Sequence, residues 1–260
     1  MTLPLLVAGW PLPASVSGRV TTRVGGVSQR SWGGPYQTPD GLNLGARCGD
    51  DPAAVAENRR RLSALLPTEP VWLEQVHGVD VHVSQAAAVT QAVEPRADAA
   101  VTREPGRVLA VQSADCLTVL FSDFQGRRIG AAHAGWRGLA AGILENTVAA
   151  LRGLPGDSDD VVAWLGPAIG PEAFEVGAEV LDAFLVHDPG AGDCFRRGAS
   201  ADKWMADLFG LARRRLASVG VEQVGGGGLC TYSDAGRFYS HRRDRTTGRL
   251  ASLIWINPAR

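Results

Sequence analysis

Residues 108–138 read VLAVQSADCLTVLFSDFQGRRIGAAHAGWRG. Three short apolar runs stand inside this stretch: VLAVQS (108–113), CLTVLF (116–121) and RRIGAAH (127–133). Runs this short, bounded by polar residues, predict buried strands. A helix is expected directly after the third run, over 136–152. Upstream, VWLEQV (71–76) and VDVHV (79–83) read as further strands, the second with clean alternation. Residues 50–66 predict a helix, with Asp50 or Asp51 as cap, Pro52 in the first turn and Val55, Leu62, Leu65 and Leu66 on one face. The first fifty residues are so rich in glycine and proline that loops, not core strands, are expected there. Downstream, VVAWL (161–165) is a strand, 177–186 a helix, and 203–219 a helix capped by Asp202. RFYSH (237–241) and LASLIWI (250–256) are closing strands, and GGGG (225–228) is a turn or a close backbone approach. No repeat or linker interrupts the pattern, so one compact domain of mixed helices and strands over 1–260 is expected.

Composition narrows the function. The 260 residues are 45% hydrophobic and 20% charged, an ordinary globular balance. With 26 basic and 27 acidic side chains there is no basic stripe for nucleic acid. No run of eighteen apolar residues exists, so no membrane span is expected. The opening MTLPLLVAGWPLP has no basic leader and is interrupted by Pro4, which predicts a cytoplasmic protein. Cys48, Cys116, Cys194 and Cys230 are scattered, and free thiols are the expectation.

The chain has five histidines, and their positions differ in kind. His82 lies on the polar phase of V-D-V-H-V, and His187 closes a helix, where a cation suits the dipole. His77 instead sits where a strand meets Gly78, and His133 ends an apolar strand before Ala-Gly-Trp-Arg-Gly. In open sheets of this kind the carboxyl ends of strands gather ligands, and Arg137 adds a fixed positive charge. Cys116 heads its strand as a core thiol would, yet the neighbouring Asp115 needs a partner if buried. Together His77, Cys116 and His133 make a nitrogen–sulfur–nitrogen set, the three-ligand pattern of a catalytic zinc with one open position. The intervals between them are long and have no compact signature. A thiolate–imidazolium pair of Cys116 and His133, as in a cysteine hydrolase, stays open beside it.

NLGARCGDDPAAVAENRRRL, WLEQVHGVDV, ADAAVT, SADCLTVLF, AAHAGWRGL, GPAIGPEAFEVG and FYSHRRDRTTGRL resemble in order the motifs of one family, and the resemblance spans residues 18–256. It is the laccase-domain or multicopper polyphenol oxidase family, now described as purine nucleoside phosphorylase and also called peptidoglycan editing factor. The resemblance implies an α+β fold, a single-domain layered sandwich with mixed β-sheets flanked by helices. It places zinc on His77, Cys116 and His133, with copper possible at the same site. It implies phosphorolysis of adenosine, inosine, guanosine and methylthioadenosine, deamination of adenosine, and a monomer. Metal-acidified water would serve the deamination at C6. Asp115 would fix the tautomer of a ligand histidine. Arg59, Arg137, Arg242, Arg243 and Arg249 form the pool for phosphate contacts, and Asn43 and Gln75 are candidates to bind ribose or base. Amide or acyl hydrolysis in peptidoglycan precursor editing is the alternative for the Cys116/His133 pair, and a copper-binding polyphenol oxidase is another. A four-copper site needs about ten histidines, largely in H-x-H pairs; this chain has five and no such pair. Thr118 departs from the proline that many members carry there, and a packing consequence alone is expected.

Overall fold

The computed structural model describes residues 3–9, 13–85, 93–156 and 160–258. In chain order the strands are β1 (Leu5–Val7), β2 (Val16–Thr21), β3 (Val24–Ser28), β4 (Val81–Val83), β5 (Ala99–Thr102), β6 (Leu109–Ser113) and β7 (Leu117–Asp123). There follow β8 (Ile129–Ala134), β9 (Val161–Leu165), β10 (Glu175–Gly177), β11 (Phe195–Arg197), β12 (Lys203–Ala206), β13 (Val224–Gly226) and β14 (Leu250–Ile256). The helices are α1 (Pro52–Ser63), α2 (Trp136–Ala141), α3 (Ile143–Gly153), α4 (Ala178–Leu185), α5 (Leu208–Ala217) and α6 (His241–Asp244).

Residue alternation builds the layers. A six-stranded mixed sheet has the order β13-β9-β7-β8-β5-β4, and a four-stranded antiparallel sheet the order β1-β2-β14-β6. Leu120, Ile129, Ala131 and Trp164 on one face of the large sheet meet Val20, Leu109, Val111 and Ile254 of the other. The opposite phase of the large sheet, with Leu117, Val119, Phe121 and Ala132, packs on Ile143, Val148, Leu208 and Leu211 of the helical layer. The outer face of the small sheet, Ala110, Leu253 and Trp255, is covered by Leu62 of α1 with Leu42, Leu44 and Trp72. The result is the expected α+β sandwich with helices outside and sheets inside. A third, three-stranded sheet, β10-β12-β11, flanks the helical layer. Among the described residues no helix is long and apolar enough to cross a membrane.

Several elements differ from the sequence reading, each for a physical reason. Residues 16–28 form strands, because Val16, Gly18 and Val20 alternate inward and β14 supplies a hydrogen-bonding partner. Residues 71–76 form no strand: Val71 and Glu74 make isolated bridges. Where a ladder would continue, the Gln75 side chain takes its place, accepting from Gln112 N (2.8 Å) and donating to Gln112 O (2.8 Å). The helix expected over 136–152 breaks at Gly142, whose φ of 104° is the left-handed conformation that glycine supplies without strain. Residues 203–206 are strand, not helix, held between β10 and β11, and the cap of α5 is Asp207, which accepts from Phe209 N. Residues 237–241 are not a strand; Phe238 and Tyr239 are buried and Ser240 caps α6. The glycine run does make a close approach: a Cβ on Gly226 would lie 2.2 Å from Leu165 O.

Leu120 is fully buried between the two main sheets. Leu120→Ala is expected to lower unfolding free energy by about 3 kcal/mol through lost burial and a residual cavity. Urea denaturation reads this as a lower midpoint at unchanged slope; a loss below about 1 kcal/mol would mean that this interface does not carry the fold.

Candidate metal centre and active site

The sheet register brings the site together. In the β7–β8 pair Leu117 faces Ala134 and Thr118 faces His133, so Cys116 lies one residue beyond the ladder, beside the end of β8. Opposite it stands Gly135, where a Cβ would come within 3.0 Å of Cys116 Sγ and 2.8 Å of His77 Cδ2. Only a residue without a side chain leaves that space free. Asp98 immediately precedes β5, whose Ala99 pairs with Ala132, and His133 N donates to Asp98 O at 2.7 Å.

Asp98 is fully buried and organises the cluster. Its carboxylate accepts from Val76 N (3.0 Å), His77 N (2.9 Å), Gly78 N (2.7 Å) and His133 Nδ1 (2.8 Å). Three successive amides thereby fix His77 at a φ of 60°, a left-handed conformation that a non-glycine residue rarely holds unaided. Burial opposes ionisation of Asp98, yet the bonds from His133, Gly78 and Val76 hold its pKa below the ordinary carboxylate value.

His77, Cys116 and His133 present donor atoms all within 4.8 Å of one another, and this is the one such cluster found among the described residues. Bonds of about 2.0 Å to nitrogen and 2.3 Å to sulfur in a tetrahedral site would draw these donors to about 3.5 Å of one another, a small inward adjustment. Cys116 Sγ lies 3.7 Å from His77 Nε2, and the two imidazole rings meet edge to face with centroids 4.8 Å apart. Burial pushes the Cys116 thiol up, but His133 and then His77 outweigh it and bring the pKa down to about 6. Burial likewise lowers His133, while the thiolate and Asp98 raise it to about 9. The pair therefore favours a thiolate, the form in which cysteine ligates metals. With Nδ1 of His133 turned to Asp98, Nε2 is left for a metal, the usual carboxylate–histidine arrangement. The donor set, the fixed ring and the clearance at Gly135 all fit a zinc ion.

Two cavities flank the triad. The larger, about 470 Å³, is lined by Arg47, Gln75, Ser113, Arg137, His241 and Arg249 beside the three ligands. The smaller, about 220 Å³, is lined by Trp136, Ile169, Phe174 and Leu208 with Arg242, and shares His77, Cys116, Arg137 and His241. The Arg137 guanidinium stacks on Trp136 at 4.5 Å and forms no ion pair among the described residues.

The other residues singled out in the sequence divide. Arg137, Arg249 and Gln75 line the larger cavity and Arg242 the smaller. The amide of Gln75 is already engaged with the Gln112 backbone, so it shapes the wall. Asn43 is buried and lines neither cavity; accepting from Gly45 N and Arg249 N and donating to Asp50, it braces two residues of the larger cavity's wall. Arg59 donates to Leu44 O and Glu94 and stacks on Trp72, and Arg243 is held by Asp244 and the carbonyls of Thr231, Tyr232 and Phe238. Neither lines the site. Asp115 does not orient a histidine. Its carboxylate accepts from Thr231 Oγ1 (2.6 Å) and Arg242 N (2.6 Å), which ties the segment bearing Arg242 to the triad. The orienting carboxylate is Asp98, which the sequence reading left unassigned. It also passed over Arg47 and His241. An aspartate heading a run of buried-strand type was the signal at both 98 and 115, and only the fold tells the two apart.

A family described as multi-copper polyphenol oxidoreductase laccase matches residues 18–257. The chain belongs to this family. It is 52% identical over 258 residues to purine nucleoside phosphorylase YfiH of Shigella flexneri, covering 97% of this chain and 98% of that protein. A purine nucleoside phosphorylase of Pseudomonas aeruginosa is 53% identical over 251 residues, covering 96% and 98%. A solved structure from Neisseria meningitidis superposes with a TM-score of 0.88 at 44% identity, covering 98% of this chain and 99% of that one. The matches span nearly the whole chain, and the layered fold is shared with the Neisseria structure.

Asp98→Asn is expected to weaken metal binding about 10- to 100-fold, because the negative charge facing His133 is lost and one of the two accepting oxygens becomes an NH2 donor. Competition with a chromophoric chelator measures this; an unchanged affinity would show that Asp98 does not position the ligands.

Proposed function

We propose that the chain is a zinc-dependent purine nucleoside phosphorylase that cleaves adenosine, inosine, guanosine and methylthioadenosine with phosphate, and that also deaminates adenosine. The observation that carries this reading is the position of the triad between an arginine-bearing cavity and an aromatic one. The names of the relatives support the coarser part of this reading, a purine nucleoside phosphorylase. Zinc held by His77, Cys116 and His133 would supply Lewis acidity at the position that three protein ligands leave open. Copper binds nitrogen and sulfur donors more tightly and would fit the same three residues.

The chain's own residues do the rest. Arg137, with no carboxylate partner among the described residues, and Arg249, whose guanidinium donates to the carbonyls of Thr247 and Gly248, draw phosphate into the larger cavity. Trp136 and Phe174 offer apolar walls for the flat purine. In phosphorolysis a phosphate oxygen bonds to C1′ of the ribose while the C1′–N9 bond breaks and its electron pair leaves with the base. His241, exposed where both cavities meet, gives the departing purine a proton at a ring nitrogen.

The Cys116–His133 pair favours one competing reading, a cysteine hydrolase acting on a peptidoglycan precursor. Chelation separates the two. Incubated with adenosine and phosphate, the zinc-loaded protein is expected to release adenine and ribose 1-phosphate, with inosine from deamination, resolved by chromatography. Chelator should abolish both and zinc restore them. Hydrolysis of a peptidoglycan precursor that survives complete metal removal would support the hydrolase, and neither product from metal-loaded protein would overturn the nucleoside reading. Arg137→Ala is expected to raise the KM for phosphate at least tenfold, the loss of one charge-assisted contact; steady-state kinetics with varied phosphate checks it.

A further inference from the structure

The segment 231–249 serves two separate places. His241 and Arg242 reach the triad cavities, while Arg243, Asp244 and Thr246 line a different cavity of about 290 Å³ together with Arg23, Arg30 and Tyr36. We propose that this second cavity binds the phosphate group of a small molecule.

Charge is the first ground. Three guanidinium groups line the cavity against the single carboxylate of Asp244. That carboxylate is already paired with Arg243, through Nε (2.9 Å) and Nη2 (2.8 Å). Arg30 is exposed and forms no ion pair among the described residues. Two positive groups are thus left without a counter-ion in one small cavity.

The second ground is Arg23. It is only 6% exposed, and its guanidinium donates to the backbone carbonyls of Ala235 (3.0 Å) and Gly33 (3.1 Å) and to no carboxylate. Its Nε is buried with no hydrogen-bond partner. Asp244 and Asp40 act on it only through space, and a buried guanidinium with no directly bonded anion is an incomplete arrangement that a bound phosphate would complete. The ring of Tyr239, 4.9 Å below it, and the Tyr239 hydroxyl donating to Trp32 O at 2.5 Å hold Arg23 rigidly in place. Such pre-organisation is what a planar donor fork needs to grip an oxyanion.

The third ground is backbone strain along the cavity wall. Arg30, Tyr36 and Gln37 hold φ values of 54°, 56° and 61°, left-handed conformations in three non-glycine residues of one short stretch. Strain of this kind persists where surrounding structure enforces it and concentrates at binding sites. It also stands the Tyr36 ring out at the rim, 99% exposed, where a ligand's organic portion would lie against it.

Titration of the 15N-labelled, zinc-loaded full chain by two-dimensional NMR tests the proposal, with inorganic phosphate, ribose 5-phosphate and AMP as probes. Their relative affinities distinguish a free anion from a sugar phosphate or a nucleotide. Saturable shifts are expected in the amides of residues 30–37 and 243–246. They should persist in Arg137→Ala, where binding at the triad cavity is weakened, and so report on the second cavity independently of the proposed function. Arg30→Glu, a change at an exposed residue, should weaken the binding at least tenfold, as expected when an attracting charge becomes a repelling one. Shifts confined to the triad cavities, no saturable shift with any probe, or a smaller loss in Arg30→Glu with the fold intact would each overturn it.

Discussion

The carboxylate of Asp98 is buried between the turn that carries His77 and the strand that carries His133, and it bonds to both. It receives three backbone amides and one imidazole N–H. A buried carboxylate is costly unless its oxygens are filled, so the energetic demand of Asp98 becomes a geometric constraint on its partners. The constraint holds His77 in a left-handed conformation, fixes which nitrogen of His133 faces the cavity, and sets the distance between two ligands that are far apart in sequence. Cys116 is then placed by β-sheet register alone, next to the one residue, Gly135, that leaves its sulfur room. The rest of the site depends on this arrangement.

Much of the fold could be read from local pattern. The cap and proline of α1, the buried runs that became β6 to β9, and all seven residues of β14 follow directly from periodicity and turn chemistry. What could not be read depends on partners distant in sequence. β2 is a strand because β14 lies beside it, and 203–206 is a strand because β10 and β11 hold it from both sides. Conversely, 71–76 looks like a strand but lets a glutamine side chain do the pairing.

The site shows the same division. His77 before a glycine turn, His133 near the end of β8 and Cys116 just ahead of β7 were visible, because chemistry-bearing residue types are scarce in this chain. The roles of the polar residues around them were not visible. Asn43, Arg59 and Arg243 carry the right functional groups but spend them inside the framework, whereas Arg47 and His241, which do face the cavities, carry no local mark that separates them from surface residues. The family's copper-oxidase description is also resolved by residue types. Five histidines, no H-x-H pair and one cluster of suitable donors among the described residues leave no material for a four-copper centre.

The central claim is that one metal ion is held by His77, Cys116 and His133 in the geometry that Asp98 imposes. X-ray absorption at the zinc edge of the metal-loaded protein measures this most directly. The account predicts a single sulfur neighbour at about 2.3 Å and two imidazole nitrogens at about 2.0 Å, with a light atom completing the shell. A spectrum without a sulfur neighbour, or with two or more, would contradict it.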